Sequence, residues 1–331
     1  MKFGQIASKD AAGAILAHSI EVGGKRWRKG RILGAGDVEA LLADGPPSIT
    51  AAQLAATDLG EDAAASQIAA ALVPDQSAAC VRLTKASTGR VNVYGTGSGV
   101  LDLNPVAIDG ANRVDPMITI ATLPEWALVR DRGLLATVKI ISYGVPGGAV
   151  AEAARLASEA LRVRPVVLRT AALIITDIGL GPGKGEAAMR GRLAALGMDL
   201  MATHLVPHKS GALAEAIGKI QADLVLILTA SATSDPMDVA PEAVRLAGGQ
   251  VSRFGMPVDP GNLLFLGDVK GRPVIGLPGC ARSPALNGAD WVLSRVACGI
   301  ETTGSDIAGM GVGGLLKEIP TRPQPRAKRK E

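Results

Sequence analysis

Aromatic side chains make up only 2% of the 331 residues, with three Trp, three Phe and two Tyr. Modules that stack nucleic-acid bases need such rings as platforms, so that class is excluded. Cysteine is scarce too. Cys80, Cys280 and Cys298 are odd in number and have no C-x-x-C spacing, which excludes a disulfide framework and points to a reducing compartment. The histidines His18, His204 and His208 have no ligand spacing with cysteines or carboxylates, so no structural metal is expected. There is no G-x-S-x-G elbow. No apolar run reaches the roughly 18 residues that a membrane span needs. The opening MKFGQIASKDAAGAILAHS is broken by Lys9 and Asp10 and lacks a signal-peptide layout. The expectation is a cytoplasmic chain without membrane or nucleic-acid partners.

What is present is apolar surface. Hydrophobic residues are 47% and charged residues 20%, with 41 Gly, so helices can pack closely on strands around a sizeable core. A length of 331 suggests two domains, since one core stops growing at roughly 250–300 residues. The net charge is +4, and Arg322, Arg326, Lys328, Arg329 and Lys330, offset by Glu331, account for all of it. The body therefore has no basic excess for phosphate-backbone binding. The tail reads as a basic disordered segment.

Residues 1–164 read as a smaller mixed, β-rich region. Ile20–Val22 and Arg31–Leu33 look like strands around a Gly23-Gly24 turn. Asp37 is placed to cap a helix over Asp37–Ala43, and Asp58 to Glu61 makes a capping-box pattern before Ala63–Leu72. Arg90–Tyr94, Met117–Leu123 and Ala136–Ser142 are strand-like, and Val150–Leu161 is an Ala-rich helix. Arg164-Pro165 is the expected boundary, because the residue before Pro is biased away from helix. Residues 165–300 alternate: strands at Val166–Thr176, Met198–Val206, Asp223–Thr229, Gln250–Phe254, Leu263–Leu266 and Pro273–Gly276, with helices at Gly185–Leu196, after a Ser210 cap, at Pro241–Ala247 and at Ser283–Cys298. That alternation predicts a three-layer α/β/α domain with a mostly parallel sheet. Residues 301–331 form a C-terminal extension. Ligands of such sheets bind outside the carboxyl ends of the strands, at the loops 177–185, 230–238 and 278–283.

Each loop has a functional and a structural explanation. In Thr229-Ala230-Ser231-Ala232-Thr233-Ser234-Asp235-Pro236-Met237-Asp238, small side chains let backbone N–H groups approach an anion, and Asp238 either holds a metal-phosphate or caps the next helix. Asp235 shares either role. In Leu277–Ser283, Pro278-Gly279 sets a rigid turn; Arg282 and Ser283 either grip an anion, or are respectively solvated and a helix cap. The segment Thr176-Asp177-Ile178-Gly179-Leu180-Gly181-Pro182-Gly183-Lys184-Gly185 is a Gly-rich loop. It is no P-loop, having Ile178 in place of the first Gly and Gly185 in place of Ser or Thr.

Leu277-Pro278-Gly279-Cys280-Ala281-Arg282-Ser283 resembles the Leu-Pro-Gly-Asn-Pro-Val-Ser loop of the molybdopterin-binding domain in molybdenum-cofactor biosynthesis proteins. Asp235-Pro236-Met237-Asp238-Val239-Ala240-Pro241-Glu242-Ala243 resembles that family's Asp-Val-Thr-Pro-Glu-Ala segment, with Asp238 on the family Asp. The match covers about residues 165–300, and the first half looks like the β-rich region of MoeA-like insertases. The chain departs from the pattern at Ala230–Thr233, where the family has glycines, at Cys280, where it has Asn, and at His208-Lys209, where it has an acidic pair. The resemblance implies a molybdopterin ligand. Its phosphate or AMP end would lie on Thr176, Asp177, Lys184 and Thr229 to Asp235, and its pterin towards Pro278, Gly279, Cys280, Arg282 and Ser283. It implies Mg²⁺ and ATP or AMP at Asp238 if adenylyl transfer or molybdate insertion is catalysed, a homo-oligomer, and a nucleotidyltransferase partner. Two alternatives stand beside it: a catalytically degenerate cofactor-binding or scaffold module working with a nucleotidyltransferase, and an enzyme on another phosphorylated or nucleotide substrate using Lys184, His208, Lys209 and Arg282.

Overall fold

Leu224-Val-Leu-Ile-Leu228 has no polar side chain, and all five residues are buried. It is an inner strand of a six-stranded sheet in the computed structural model, which describes residues 1–179, 181, 183 and 185–316. The elements around it are β1 (Thr170–Asp177), α1 (Gly185–Leu196), β2 (Asp199–Pro207), α2 (Ser210–Lys219), β3 (Leu224–Leu228), α3 (Val239–Leu246), β4 (Gln250–Phe254), β5 (Phe265–Val269), β6 (Arg272–Leu277) and α4 (Gly288–Ala297). Strand order is β2-β1-β3-β6-β5-β4. Neighbours are parallel from β2 through β6, and only β5 runs against the rest. The predicted mostly parallel α/β sheet is what the chain builds.

The period-2 alternation of side chains produces the layers. Leu173, Ile175, Leu224, Leu226 and Leu228 face a core with Met189 and Leu193 of α1 and Val292 and Leu293 of α4. Ile174, Val225 and Ile227 face the other side, with Leu213 and Ile217 of α2 and Ala243 and Val244 of α3. From β1 the chain moves outward to β2, then returns past β1 to β3. The switch point therefore lies between β1 and β3, where the carboxyl ends open a crevice.

Two compact units result. One comprises residues 1–97, 101–125 and 131–163; the other holds the sheet above and takes back residues 98–100 and 126–130. In the first, Lys2–Ala7, Ser48–Gln53 and Ile15–Leu16 form a small antiparallel sheet over a core including Leu16, Trp27, Leu33, Leu41 and Ile49. A second, four-stranded antiparallel sheet contains Arg90–Gly95 and Leu134–Ile140.

Several local expectations are corrected. Ile20–Val22 pairs with Lys25–Trp27, not with Arg31–Leu33, because Gly23 and Gly24 both take left-handed backbone and close a two-residue turn. The helix spans Ala35–Asp44 with Gly34 as its cap, and Asp37 sits inside its first turn, accepting the Gly34 N–H at 3.0 Å. Asp58 lies in a strand, its carboxylate taken by the Ala55 N–H and the N-terminal ammonium, and Gly60 precedes the helix Glu61–Leu72. Ser210 is the first residue of α2 and Lys209 its cap. Ser283 does not cap the last helix. Pro284 follows it and pushes its backbone out of the helical region, so the helix waits until Asn287, whose side chain accepts the Ala289 N–H.

Candidate functional site

Strand register brings the three predicted loops to one edge. Ile175 is opposite Leu228, Leu228 is opposite Leu277, and Asp177 is opposite Pro207. The loops after β1, β3 and β6 therefore start side by side, with His208 immediately after β2.

Thr176 is the hub. It is 1% exposed. Its Oγ1 accepts the Ala230 N–H at 2.8 Å and lies 2.8 Å from His208 Nδ1. The His208 N–H in turn donates to the Asp177 carbonyl at 3.0 Å. One buried hydroxyl thus ties together the ends of β1, β2 and β3. The Thr229 and Thr233 hydroxyls meet at 3.3 Å beneath the next loop.

Asp177 organises the Gly-rich loop. Its Oδ1 accepts N–H groups from Gly179 at 3.0 Å and Gly181 at 2.9 Å. That wrapping needs left-handed backbone, and Gly179, Gly181 and Gly183 have φ of +96°, +78° and +64°. Lys184, expected at the phosphate end, lies outside the described residues. Arg282 is half-buried and not simply solvated. It donates from Nη2 to the Thr229 carbonyl at 3.0 Å, and its guanidinium would crowd a Cβ added at Gly183 or Gly185. It joins the β6 loop to the β3 loop.

The carboxylates of the β3 loop are turned onto the backbone. Asp238 caps α3, with Oδ1 accepting the Val239 N–H at 2.7 Å and Oδ2 the Ser234 N–H at 3.0 Å. Asp235 Oδ1 accepts the Met237 N–H at 2.7 Å. Ser231 and Ala232, earlier in the same loop, are exposed, and among the described residues no protein partner is found for their N–H groups or that of Thr233. Small side chains leave the donors of Ser231 and Ala232 accessible, while Thr233 is buried.

On the third loop Pro278 is buried, while Gly279 and Cys280 are exposed at the start of a short 3₁₀ turn. Although Cys280 is exposed, desolvation by the protein beside its sulfur raises the thiol pKa above its ordinary value. Ser283 Oγ accepts the Ala285 N–H at 3.2 Å, which makes it a turn residue.

Sequence reasoning missed Arg192. Its side chain is 8% exposed. It donates to Asp290 at 2.5 Å, to the Ala281 carbonyl at 3.0 Å, and to the Ser283 and Ala285 carbonyls at 2.9 Å each. This α1 arginine shapes the loop from 281 to 287. Its partners are mostly carbonyls, which carry no sequence signal. Asn287 was legible: an Asn followed three residues later by Asp290 is a capping-box pattern, and the structure makes both bonds.

Among the described residues no group of three or more His, Cys, Asp and Glu is arranged to hold a metal ion. The Mg²⁺ implied by the resemblance asks for an octahedral oxygen shell usually anchored by one or two carboxylates. Asp177, Asp235 and Asp238 instead accept nearby N–H groups, so the residues present do not fit a resident divalent cation. No helix among them is long and apolar enough to cross a membrane.

Residues 5–53 match a family model described as a domain of unknown function, DUF8806. No match is found among curated proteins. Among solved structures the chain is similar to the molybdopterin biosynthesis MoeA protein from Pyrococcus horikosii, at 14% identity and a TM-score of 0.32, over 92% of this chain and 76% of that one. It is also similar to a molybdopterin biosynthesis protein from Mycobacterium abscessus, at 17% identity and 0.27, over 40% and 92%. A third likeness is to the molybdopterin biosynthesis enzyme MoaB from Thermus thermophilus, at 18% identity and 0.28, over 46% and 100%.

Proposed function

We propose that the α/β unit binds a molybdopterin-type ligand, a pterin with an anionic phosphate end, at the carboxyl edge of β1, β3 and β6, and serves molybdenum-cofactor biosynthesis in that role. One observation carries the reading. The two segments with family resemblance, Asp235–Ala243 and Leu277–Ser283, follow β3 and β6, which are adjacent strands, and Arg282 bonds across from one loop to the other. The unpartnered N–H groups of Ser231 and Ala232, both exposed residues, suit the anionic end. The rigid Pro278-Gly279 turn suits a flat ring system.

The reading is one of binding. Asp238, the residue expected to handle a metal-phosphate, is engaged through both oxygens as a helix cap. That favours a carrier or scaffold role over adenylyl transfer. Titration of the purified chain with molybdopterin and with its adenylated form, followed by intrinsic fluorescence or calorimetry, tests it. Saturable binding of either is expected. No binding at tens of micromolar ligand sinks the proposal, and Mg²⁺-dependent turnover of ATP would sink the restriction to binding.

A further inference from the structure

Thr176 Oγ1 has one proton and two lone pairs. One lone pair takes the Ala230 N–H at 2.8 Å. At 1% exposure the hydroxyl proton has no bulk water to meet, so it needs a protein acceptor. Among the described residues that acceptor is His208 Nδ1, 2.8 Å away. An Nδ1 that accepts this proton carries none of its own. The proton of the neutral imidazole then sits on Nε2. The opposite tautomer would leave the Thr176 hydroxyl proton buried without a partner.

The position matters because of what it replaces. The family resemblance leads one to expect a carboxylate after β2, and a carboxylate there would recruit a cation. His208 offers a donor instead. Asp177, Asp235 and Asp238 at the same edge accept backbone N–H groups, and no metal-ligand group is assembled among the described residues. We infer that Thr176 is a positioning residue that fixes His208 as an Nε2–H donor, and that this edge holds the oxyanion of its ligand by N–H donors without a divalent cation. The inference rests on the edge being the ligand site proposed above. It names the chemistry of recognition there: a phosphate-type oxyanion bound bare, not as its magnesium complex.

The test uses the full chain with ¹⁵N-labelled histidine and pyrophosphate as probe. Without ligand, the ring nitrogens of His208 report the tautomer. An unprotonated Nδ1 and protonated Nε2 are expected, kept in Thr176→Ser and lost to a mixture in Thr176→Val. A protonated Nδ1 in the neutral wild-type ring overturns the positioning role. Pyrophosphate in excess EDTA should then shift the His208 Nε2 signal and saturate. Substituting Mg²⁺ for EDTA should change the affinity by less than threefold. A shift seen only with Mg²⁺, more than a tenfold gain with Mg²⁺, or no shift at millimolar pyrophosphate overturns the cation-free site. If pyrophosphate moves His208 but molybdopterin does not bind, the pterin reading fails and this inference stands.

Discussion

Thr176 Oγ1 and His208 Nδ1 lie 2.8 Å apart, joining the penultimate residue of β1 to the first residue beyond β2. The same oxygen accepts the Ala230 N–H, so removing the hydroxyl unpairs two groups at once. Thr176→Val keeps the volume but deletes those bonds, and should cost about 1–3 kcal/mol. Thr176→Ser keeps them and should stay within about 1 kcal/mol of wild type. Urea unfolding monitored by far-UV circular dichroism measures both; a larger loss in Thr176→Ser than in Thr176→Val would show that the methyl packing, not the hydroxyl, is what matters.

Gly276 in β6 is directly opposite Phe265 in β5, and a Cβ built there would fall within the Phe265 ring. Phe265 is 1% exposed and has nowhere to retreat. Gly276→Ala should destabilise the protein by about 1–3 kcal/mol or more through overpacking. Adding Phe265→Leu should recover part of that loss, because the smaller side chain vacates the space. A double variant weaker than the sum of both single variants would count against this pairing.

Arg192 holds the loop after β6 by three carbonyls and the Asp290 carboxylate. Arg192→Met leaves these acceptors without their donor; Ala281 is buried but Ser283 and Ala285 are exposed to water, so the loss should be about 1–3 kcal/mol. Limited proteolysis should find new cleavage between 281 and 287 in the variant before any elsewhere. Cleavage that begins elsewhere would show that this loop does not depend on Arg192.

Asp238 makes local bonds at both ends of its carboxylate, so its removal should read as loss of a cap. Asp238→Ala should lose about 0.5–2 kcal/mol, and Asp238→Asn, another good cap, only a fraction of that. Pyrophosphate affinity should be unchanged in Asp238→Asn. A tenfold loss of affinity at unchanged stability would return Asp238 to the ligand.

The sheet was legible because its signal is local. Leu224 to Leu228 and Ala171 to Ile175 are apolar runs bounded by polar residues, and burial on both faces demands nothing more specific. The positions of the loops followed from strand alternation alone. What escaped was geometry between residues distant in sequence: Thr176 with His208 is 32 residues of separation, and Arg192 with Ala285 is 93. Caps failed where a backbone rule outranked a side-chain preference. Ser283 is a good cap in composition, but Pro284 decides its backbone, and Asn287 takes the role.

Acid should reveal the clamp at the start of the sheet. Asp223 Oδ2 accepts the Arg169 and Thr170 N–H groups and the Thr170 hydroxyl, each at 2.9 Å, pinning the entry of β3 to that of β1. The Arg169 N–H, then the Thr170 groups, lower its pKa below the ordinary 3.8. A carboxylate whose folded pKa is depressed stabilises the fold fully above its unfolded pKa, near 3.9, and loses that contribution as pH falls through the lower folded value. Asp223→Asn should therefore be less stable than wild type at neutral pH, and the gap should close as pH drops below about 4. Asp37 and Asp306 are shifted in the same direction, so wild type alone cannot isolate the effect. The difference between the two proteins does, because those residues are common to both. A gap of the same size at pH values on either side of that window would mean that the three hydrogen bonds do not favour the ionised form of Asp223.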